Sequence, residues 1–437
     1  MGAMMGTTTA SLIAVGIPLV GALLSFACWS IPDWLKVCAI ATAVVSLGAI
    51  GGLAGFLAGP TEGFLFLVLL PLAAVVSLLG QPVHPLYRSS SVMTLLFLGL
   101  GLGVLTQNGP VGHILLATIG GLIGLLLYRH HSPLWPMSWW GIGTFGFSMV
   151  MAVAAAFVYP SLSAIASLLA GAVFLPLAPL HGGYLAALTR LPGNLPSFLS
   201  VLLPVIGLHS LTATIGVVPD GLASAVSVTA VVGSLYGAVK ALAQSRVRLR
   251  LAYGSLSFLC LLWWFAASAR GTGPGAAVFT AAVALVTSGL LIAWQVVRSR
   301  YGDDVDPQSI SGLAAGMPHY AVLLSLLGLA AIGLPPFGVF AGFIGLLLAP
   351  TVSFSIALVC VLLVWLAASW YILDLVQRLL FGPRRSDLRL ADLGWAEFAS
   401  LLLVVLALVM LGVLPAHLFG PGAMPTTAET GWFAWMK

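Results

Sequence analysis

Histidine exchanges protons near neutral pH, and His181 and His209 both stand within long apolar runs. An ionisable side chain in such a setting is costly and is normally retained as a relay or a coupling element. The competing reading for each is a neutral imidazole bonded to backbone carbonyls. Asp374 and Arg378 are spaced i, i+4, which on a helix places a carboxylate and a guanidinium on one face as an ion pair. Glu397 precedes an apolar run, where an acid caps a helix at the positive end of its dipole. Arg246, Arg248 and Arg250 form a basic cluster that reads as a topology anchor meeting anionic lipid or as a docking surface. The spacing of Cys28, Cys38, Cys260 and Cys360 gives no CxxC pair, so the cysteines read as inert packing residues and no metal site or cofactor is expected. Gly271–Gly275 reads as a turn and not a phosphate loop, because no strand precedes it.

The elements that must hold these groups are set by composition. Of 437 residues, 60% are hydrophobic and 6% charged, against roughly 25% charged in a soluble domain. That excludes a soluble enzyme. The net charge of +5 is read as loops facing a membrane surface, and no nucleic-acid partner is expected. The apolar runs are unbroken rather than alternating, so they predict spanning helices. There are fourteen of them, the first at 8–29 and the last at 394–415. The N-terminal run is read as the first span rather than a signal peptide, with no lipid anchor implied. The seventh (163–189) and twelfth (319–348) are overlong and hold Pro176, Pro179, Pro335 and Pro336. Missing N–H donors and ring clashes must interrupt both helices, and a broken helix at membrane depth must be buried in protein or line a wet cavity. The Gly333–Gly338 stretch is therefore expected to be unwound and buried against other helices.

Basic residues orient the bundle. Loops and flanks after odd-numbered spans hold Lys36, Arg88, Arg129, Arg190, Arg246, Arg248, Arg250, Arg298, Arg300, Arg384, Arg385 and Arg389, whereas those after even-numbered spans hold Arg270. The asymmetry puts the first set in the cytoplasm, with His131 beside Arg129 and with Met1 and Lys437 outside. Asp303, Asp304 and Asp306 fall on the cytoplasmic side, and Glu62 reads as a solvated cap. Trp135, Trp139, Trp140, Trp263, Trp264, Trp432 and Trp435 read as an interfacial belt. Gly99 with Gly103, and Gly120 with Gly124, are spaced for close helix contact, internal or against another subunit.

The most specific strings are Gly312–Pro318 (GLAAGMP) and Gly333–Phe340 (GLPPFGVF). They resemble the signature of the antiporter-like membrane subunits of respiratory complex I, of Mrp-type cation/proton antiporters and of related hydrogenase and inorganic-carbon-transporter complexes. Collinear matches are Pro179-Leu180-His181, Ala241–Gln244 with Arg246, Arg248, Leu251-Ala252-Tyr253 and Ser255-Leu256-Ser257, Arg378 with Phe381-Gly382, and Glu397 leading to Leu411–Pro415. The resemblance implies an all-α integral membrane fold of about 14 transmembrane helices, with two inverted five-helix repeats and broken helices 7 and 12. The expected division is 1–89 (three N-terminal helices), 90–216 and 217–380 (the repeats), and 381–437 (C-terminal helix and external tail).

The same resemblance locates the charged positions of the family's proton path, and here the sequence departs from it. The helix-five glutamate is missing from the run that starts at His113, the helix-seven lysine falls on Phe174, the helix-eleven histidine and lysine fall near Val283 and Thr287, and the last relay residue is Phe343. His209 falls on the central lysine site and is the proton-relay candidate.

Three functions follow as expectations. The first is a subunit of a multi-subunit energy-coupling complex in a prokaryotic cytoplasmic membrane. It would be no enzyme by itself and would have a largely degenerate proton path. It would serve as an anchor among other membrane subunits and lipid, with a soluble catalytic partner on the cytoplasmic side. The second is a working proton- or sodium-translocating subunit that uses His209. The third is the membrane partner of a zinc protein that hydrates CO2.

Overall fold

In the computed structural model the described residues are 2–53, 63–107, 109–130, 137–301, 310–348, 355–382 and 391–414, of which 2–8, 63, 137–138 and 160–161 are described by their backbone. Met1, Glu62, His131, Trp135, Asp303, Asp304, Asp306, Arg384, Arg385, Arg389, Pro415, Trp432, Trp435 and Lys437 lie outside the described residues or their side chains.

The described chain is helical: α1 (Gly2–Ala27), α2 (Pro32–Gly52), α3 (Gly63–Leu79), α4 (Arg88–Thr106), α5 (Pro110–Arg129), α6 (Met137–Phe157), α7a (Pro160–Phe174), α7b (Gly182–Arg190), α8 (Leu195–Thr214), α9 (Asp220–Ala243), α10 (Val247–Ala269), α11 (Pro274–Tyr301), α12a (Pro318–Ile332), α12b (Gly338–Leu347), α13 (Ile356–Leu380) and α14 (Trp395–Val413). Eleven of these are long and apolar enough to cross a membrane, and four further apolar helices are shorter. The protein is thus an all-α integral membrane protein. Proline opens many of the helices, among them α2, α5, α7a and α12a, because its fixed φ suits the first turn and its missing N–H is unpaired there anyway.

Burial sorts the helices. The apolar stretch of α11 is wholly buried and those of α8 and α10 nearly so, whereas α2, α6, α13 and α14 bury about a third of theirs. The axis is α8 against α11, with α7a, α3 and α4 packed on α8, and α10, α12b and α14 packed on α11.

The two interruptions are resolved differently. After Phe174 the chain unwinds to His181, and two of the carbonyls freed there find donors on α10. Trp263 Nε1 donates to the Leu175 carbonyl at 2.9 Å and the Cys260 thiol to the Pro176 carbonyl at 3.5 Å. In the second, α12a ends at Ile332. Gly333 takes φ +78°, the left-handed region that glycine enters without penalty, and a Cβ there would overlap the Trp365 ring. Gly333 and Phe337 are buried, but Leu334, Pro335 and Pro336 are exposed on this chain. The expectation that the whole stretch is buried therefore needs correction. Gly412 of α14 abuts Pro336 on one side, and no described element of this chain covers the other.

Candidate functional site

Two of the positions where charge was expected are filled by aromatic rings. Phe174, at the end of α7a, is fully buried and meets Phe145 at 6.0 Å between centroids. Phe343 of α12b stacks on Trp365 at 3.8 Å and neighbours Phe279 at 6.3 Å, while Phe258 contacts both Trp365 and Phe279. Beside this cluster is a small cavity lined by Ser255, Phe258, Val283, Thr287, Val339 and Tyr371. Its hydroxyls are already engaged in part: Thr287 Oγ1 donates to the Val283 carbonyl at 2.7 Å, and Ser255 Oγ is 2.6 Å from the Tyr184 hydroxyl. The Ser288 Oγ nearby is buried without a partner. This region can hold water against neutral hydroxyls, but it offers a proton no charged carrier among the described residues.

The two histidines are not brought together. His209 is half-buried on α8 and makes no hydrogen bond or ion pair among the described residues. His181 stands at the start of α7b with its Nδ1 buried and unpartnered. Its ring is edge-on to Tyr236 at 5.4 Å. Of the carbonyls freed at the break, those of Leu175 and Pro176 are taken by Trp263 and Cys260. Tyr236 in turn meets Tyr253 at 6.1 Å and carries the Lys240 ammonium 5.8 Å over its face, a cation–π contact. At the mouth of α5 the His113 ring is exposed and bonds the Gly109 carbonyl at 2.8 Å.

Charge gathers at one end of the bundle instead. Asp374 accepts from Arg378 Nε at 2.7 Å and also from Arg250 NH1 at 2.7 Å. Arg250 is buried and further donates to the Gln244 carbonyl. Arg248 donates to the Gln295 side chain at 2.8 Å and to the Thr189 carbonyl at 3.3 Å. Two members of the basic cluster therefore tie helices together inside the chain, while Arg246 is exposed. Glu397 accepts from Arg300 at 2.6 Å and from the Gly394 N–H at 2.9 Å, so it is both cap and ion pair. Asp392 receives the His319, Tyr320 and Leu393 backbone N–H groups and the His319 ring. Burial raises the Asp392 pKa, but these four hydrogen bonds outweigh it and hold the carboxyl below its ordinary value.

A buried amide network joins this layer and was not anticipated from the sequence. Gln81 accepts from Ser90 Oγ at 2.8 Å and from the Asn194 N–H at 3.1 Å, and donates to Ser91 Oγ at 2.9 Å and the Tyr87 carbonyl at 3.0 Å. Lys36 donates to the Gln81 carbonyl at 2.6 Å, Asn194 to the Ser77 carbonyl at 3.0 Å, and Gln295 reaches the Tyr87 hydroxyl at 3.3 Å. The signal for it was available: Gln81, Asn194 and Gln295 are amides inside or beside apolar runs, and such groups are affordable there only when hydrogen-bonded.

Further readings change on contact. Trp263 and Trp264 are buried and so cannot belong to an interfacial belt, whereas Trp139 and Trp140 are exposed. Gly99 faces Leu19, Gly103 faces Leu115, and Gly120 and Gly124 face Phe145, so both glycine pairs serve internal packing. Among the described residues there is no cluster of three or more His, Cys, Asp or Glu side chains that could hold a metal.

Residues 113–371 match the family model described as NADH:quinone oxidoreductase/Mrp antiporter, TM. NADH-quinone oxidoreductase subunit 13 of Thermus thermophilus is 32% identical over 265 residues, 59% of this chain and 55% of that protein. NAD(P)H-quinone oxidoreductase chain 4 1 of a Synechococcus species is 28% identical over 294 residues, 62% and 56% of the two chains. The chain thus spans about half the length of the curated relatives it matches. The fold is similar to that of a chain in respiratory complex I from Thermus thermophilus (TM-score 0.74, 21% identity, 92% of this chain and 95% of that one). It is also similar to a chain of the membrane-bound sulfane sulfur reductase, an archaeal respiratory membrane complex (TM-score 0.80, 16% identity, 92% and 76%). With the family model covering more than half of its length, the chain belongs to the NADH:quinone oxidoreductase/Mrp antiporter membrane family, as an antiporter-like subunit related to those of complex I.

Proposed function

We propose that this protein is the anchoring and coupling membrane subunit of a multi-subunit energy-coupling complex and that its own proton path has largely been replaced by packing. The observation that carries this reading is the aromatic cluster of Phe258, Phe279, Phe343 and Trp365 in the middle of the bundle, set against ion pairs confined to the helix ends. In this reading residues 90–216 and 217–380 are the two inverted repeats, with α7 and α12 as their broken helices, and the full chain crosses the membrane fourteen times. The end bearing Arg248 and Glu397 faces the cytoplasm of a prokaryotic cell, and both termini face outside. The exposed Leu334–Pro336 turn supports membrane partners. Lipid cannot hydrogen-bond a broken backbone, so a neighbouring subunit covers that face, while a soluble catalytic partner docks on the cytoplasmic end. The complexes named for the relatives and the similar folds are consistent with this assignment.

A second reading, a working proton- or sodium-translocating subunit, is favoured by one observation: the His209 imidazole is unpaired among the described residues and is free to exchange a proton. Liposomes holding the isolated chain separate the two. The anchoring role gives no proton uptake under an imposed potential, and sustained uptake that His209→Ala abolishes overturns it. Gentle detergent purification from the native host tests partnership, with co-purifying membrane and soluble subunits expected and a lone monomer counting against it.

A further inference from the structure

Outside the site described above, the α1–α2 hairpin carries two of the four cysteines, Cys28 and Cys38. These helices pack as an antiparallel hairpin, and its register is fixed where Gly21 meets Thr42, since a Cβ at Gly21 would overlap the Thr42 side chain. Counting from that contact toward the connecting turn, Cys28 lies seven residues on and Cys38 four residues back. Those separations are about two turns and one turn at 3.6 residues per turn, so both side chains return to the facing sides of their helices. At about 1.5 Å per residue they advance by roughly 10 and 6 Å, which leaves a small axial offset. The two thiols accordingly stand on facing sides of the hairpin at similar height, and both residues are partly exposed. Cys260 is buried at the α7 break and Cys360 lies on α13, far along the chain.

We propose that Cys28 and Cys38 are an oxidisable dithiol whose disulfide staples α1 to α2. The oxidant is a small-molecule disulfide. The Cys28 thiolate, in the turn beyond α1, attacks one sulfur of that molecule and expels the other as a thiol, leaving a mixed disulfide. The Cys38 thiolate then attacks the Cys28 sulfur and expels the second small thiol. Two protein S–H bonds and one small S–S bond are exchanged for one protein S–S bond and two small S–H bonds, so atoms and electrons balance. The staple also bears on the polar layer: Lys36, two residues before Cys38, holds the Gln81 carbonyl, so closing the hairpin fixes the helix from which that contact is made.

The test uses the full-length protein in detergent micelles, equilibrated with mixtures of reduced and oxidised glutathione. It is then denatured in acid, and its remaining thiols are counted by alkylation and mass spectrometry. The chain has four cysteines, so the reduced protein takes four adducts and the oxidised protein two, with a cross-linked peptide pair joining Cys28 to Cys38. Cys28→Ser and Cys38→Ser each prevent the intramolecular link, whereas a Cys260→Ser/Cys360→Ser double variant retains it, which guards against a general loss of fold. Four free thiols at every glutathione ratio, or a stable glutathione adduct on Cys28 without closure onto Cys38, overturns the proposal.

Discussion

The middle of the bundle and its charged end solve the same problem in opposite ways. Both are buried, yet in the middle Phe343 lies against Trp365, and at the end Arg250 lies against Asp374 and Gln295 against Arg248. The middle gains from dispersion between closely packed side chains, which is non-directional and tolerates exchanges that conserve volume. The end gains from hydrogen bonds that are strong where the dielectric is low, and it loses heavily when one partner is removed. Stability at the end is thus concentrated in a few residues, while in the middle it is spread over many.

The sharpest way to break this contrast is to carry the chemistry of one region into the other. Phe343→Lys places an unpaired ammonium among Phe279, Trp365 and Phe258, and a charge inside a membrane helix costs about 3 kcal/mol or more. The expected result is a large loss of thermal stability in detergent, with no gain in proton uptake by liposomes. A stable variant that conducts protons would show that the cluster is a thin plug in an otherwise working path. Gln81→Leu tests the charged end. It strips partners from Ser90, Ser91, the Asn194 N–H and the Tyr87 carbonyl at once, and unsatisfied buried groups cost about 1–3 kcal/mol each before relaxation. A drop in unfolding free energy of that order is expected, read as a lower unfolding midpoint, and an unchanged midpoint would show that the network is redundant.

Smaller effects refine the comparison. His209→Ala should lower stability by about 1 kcal/mol or less, the size of a partly buried side chain with no hydrogen bond to lose, and should leave proton uptake at background. The smallest effect is acid dependence at Asp392. Its folded pKa is depressed below the ordinary carboxylate value of about 3.9. The stabilisation it supplies is therefore full above that ordinary value and is lost as pH falls through the lower folded value. Melting curves of the wild type and Asp392→Asn should differ at pH 7 and converge toward pH 3, and a constant gap across that range would assign the effect to something other than ionisation.

What the amino-acid sequence settled by itself is what bilayer physics and local chemistry settle. Long unbroken apolar runs dictate spanning helices because lipid leaves the backbone no other partner. Paired prolines dictate where α7 and α12 stop because the missing donors are local facts. The Asp374–Arg378 contact depends on a spacing of four within one helix, and the motifs around Gly312 and Gly333 depend on contiguous residues, so all of these could be read in one dimension. Everything that joins residues distant in the chain was decided by the tertiary structure. Arg250 completes the Asp374 site across 124 residues, Arg300 reaches Glu397 across 97, and Trp263 closes the Leu175 carbonyl across 88. Apolar helices with nearly uniform surfaces carry weak amphipathic signals, because lipid and protein interior are both apolar and the sequence need not mark which face meets which. That is why Trp263 read as an interfacial residue and proved to be core, why Arg248 read as a lipid anchor and proved to be an internal tie, and why the exposure of Leu334–Pro336 appeared only once α14 was seen to cover a single side of the break.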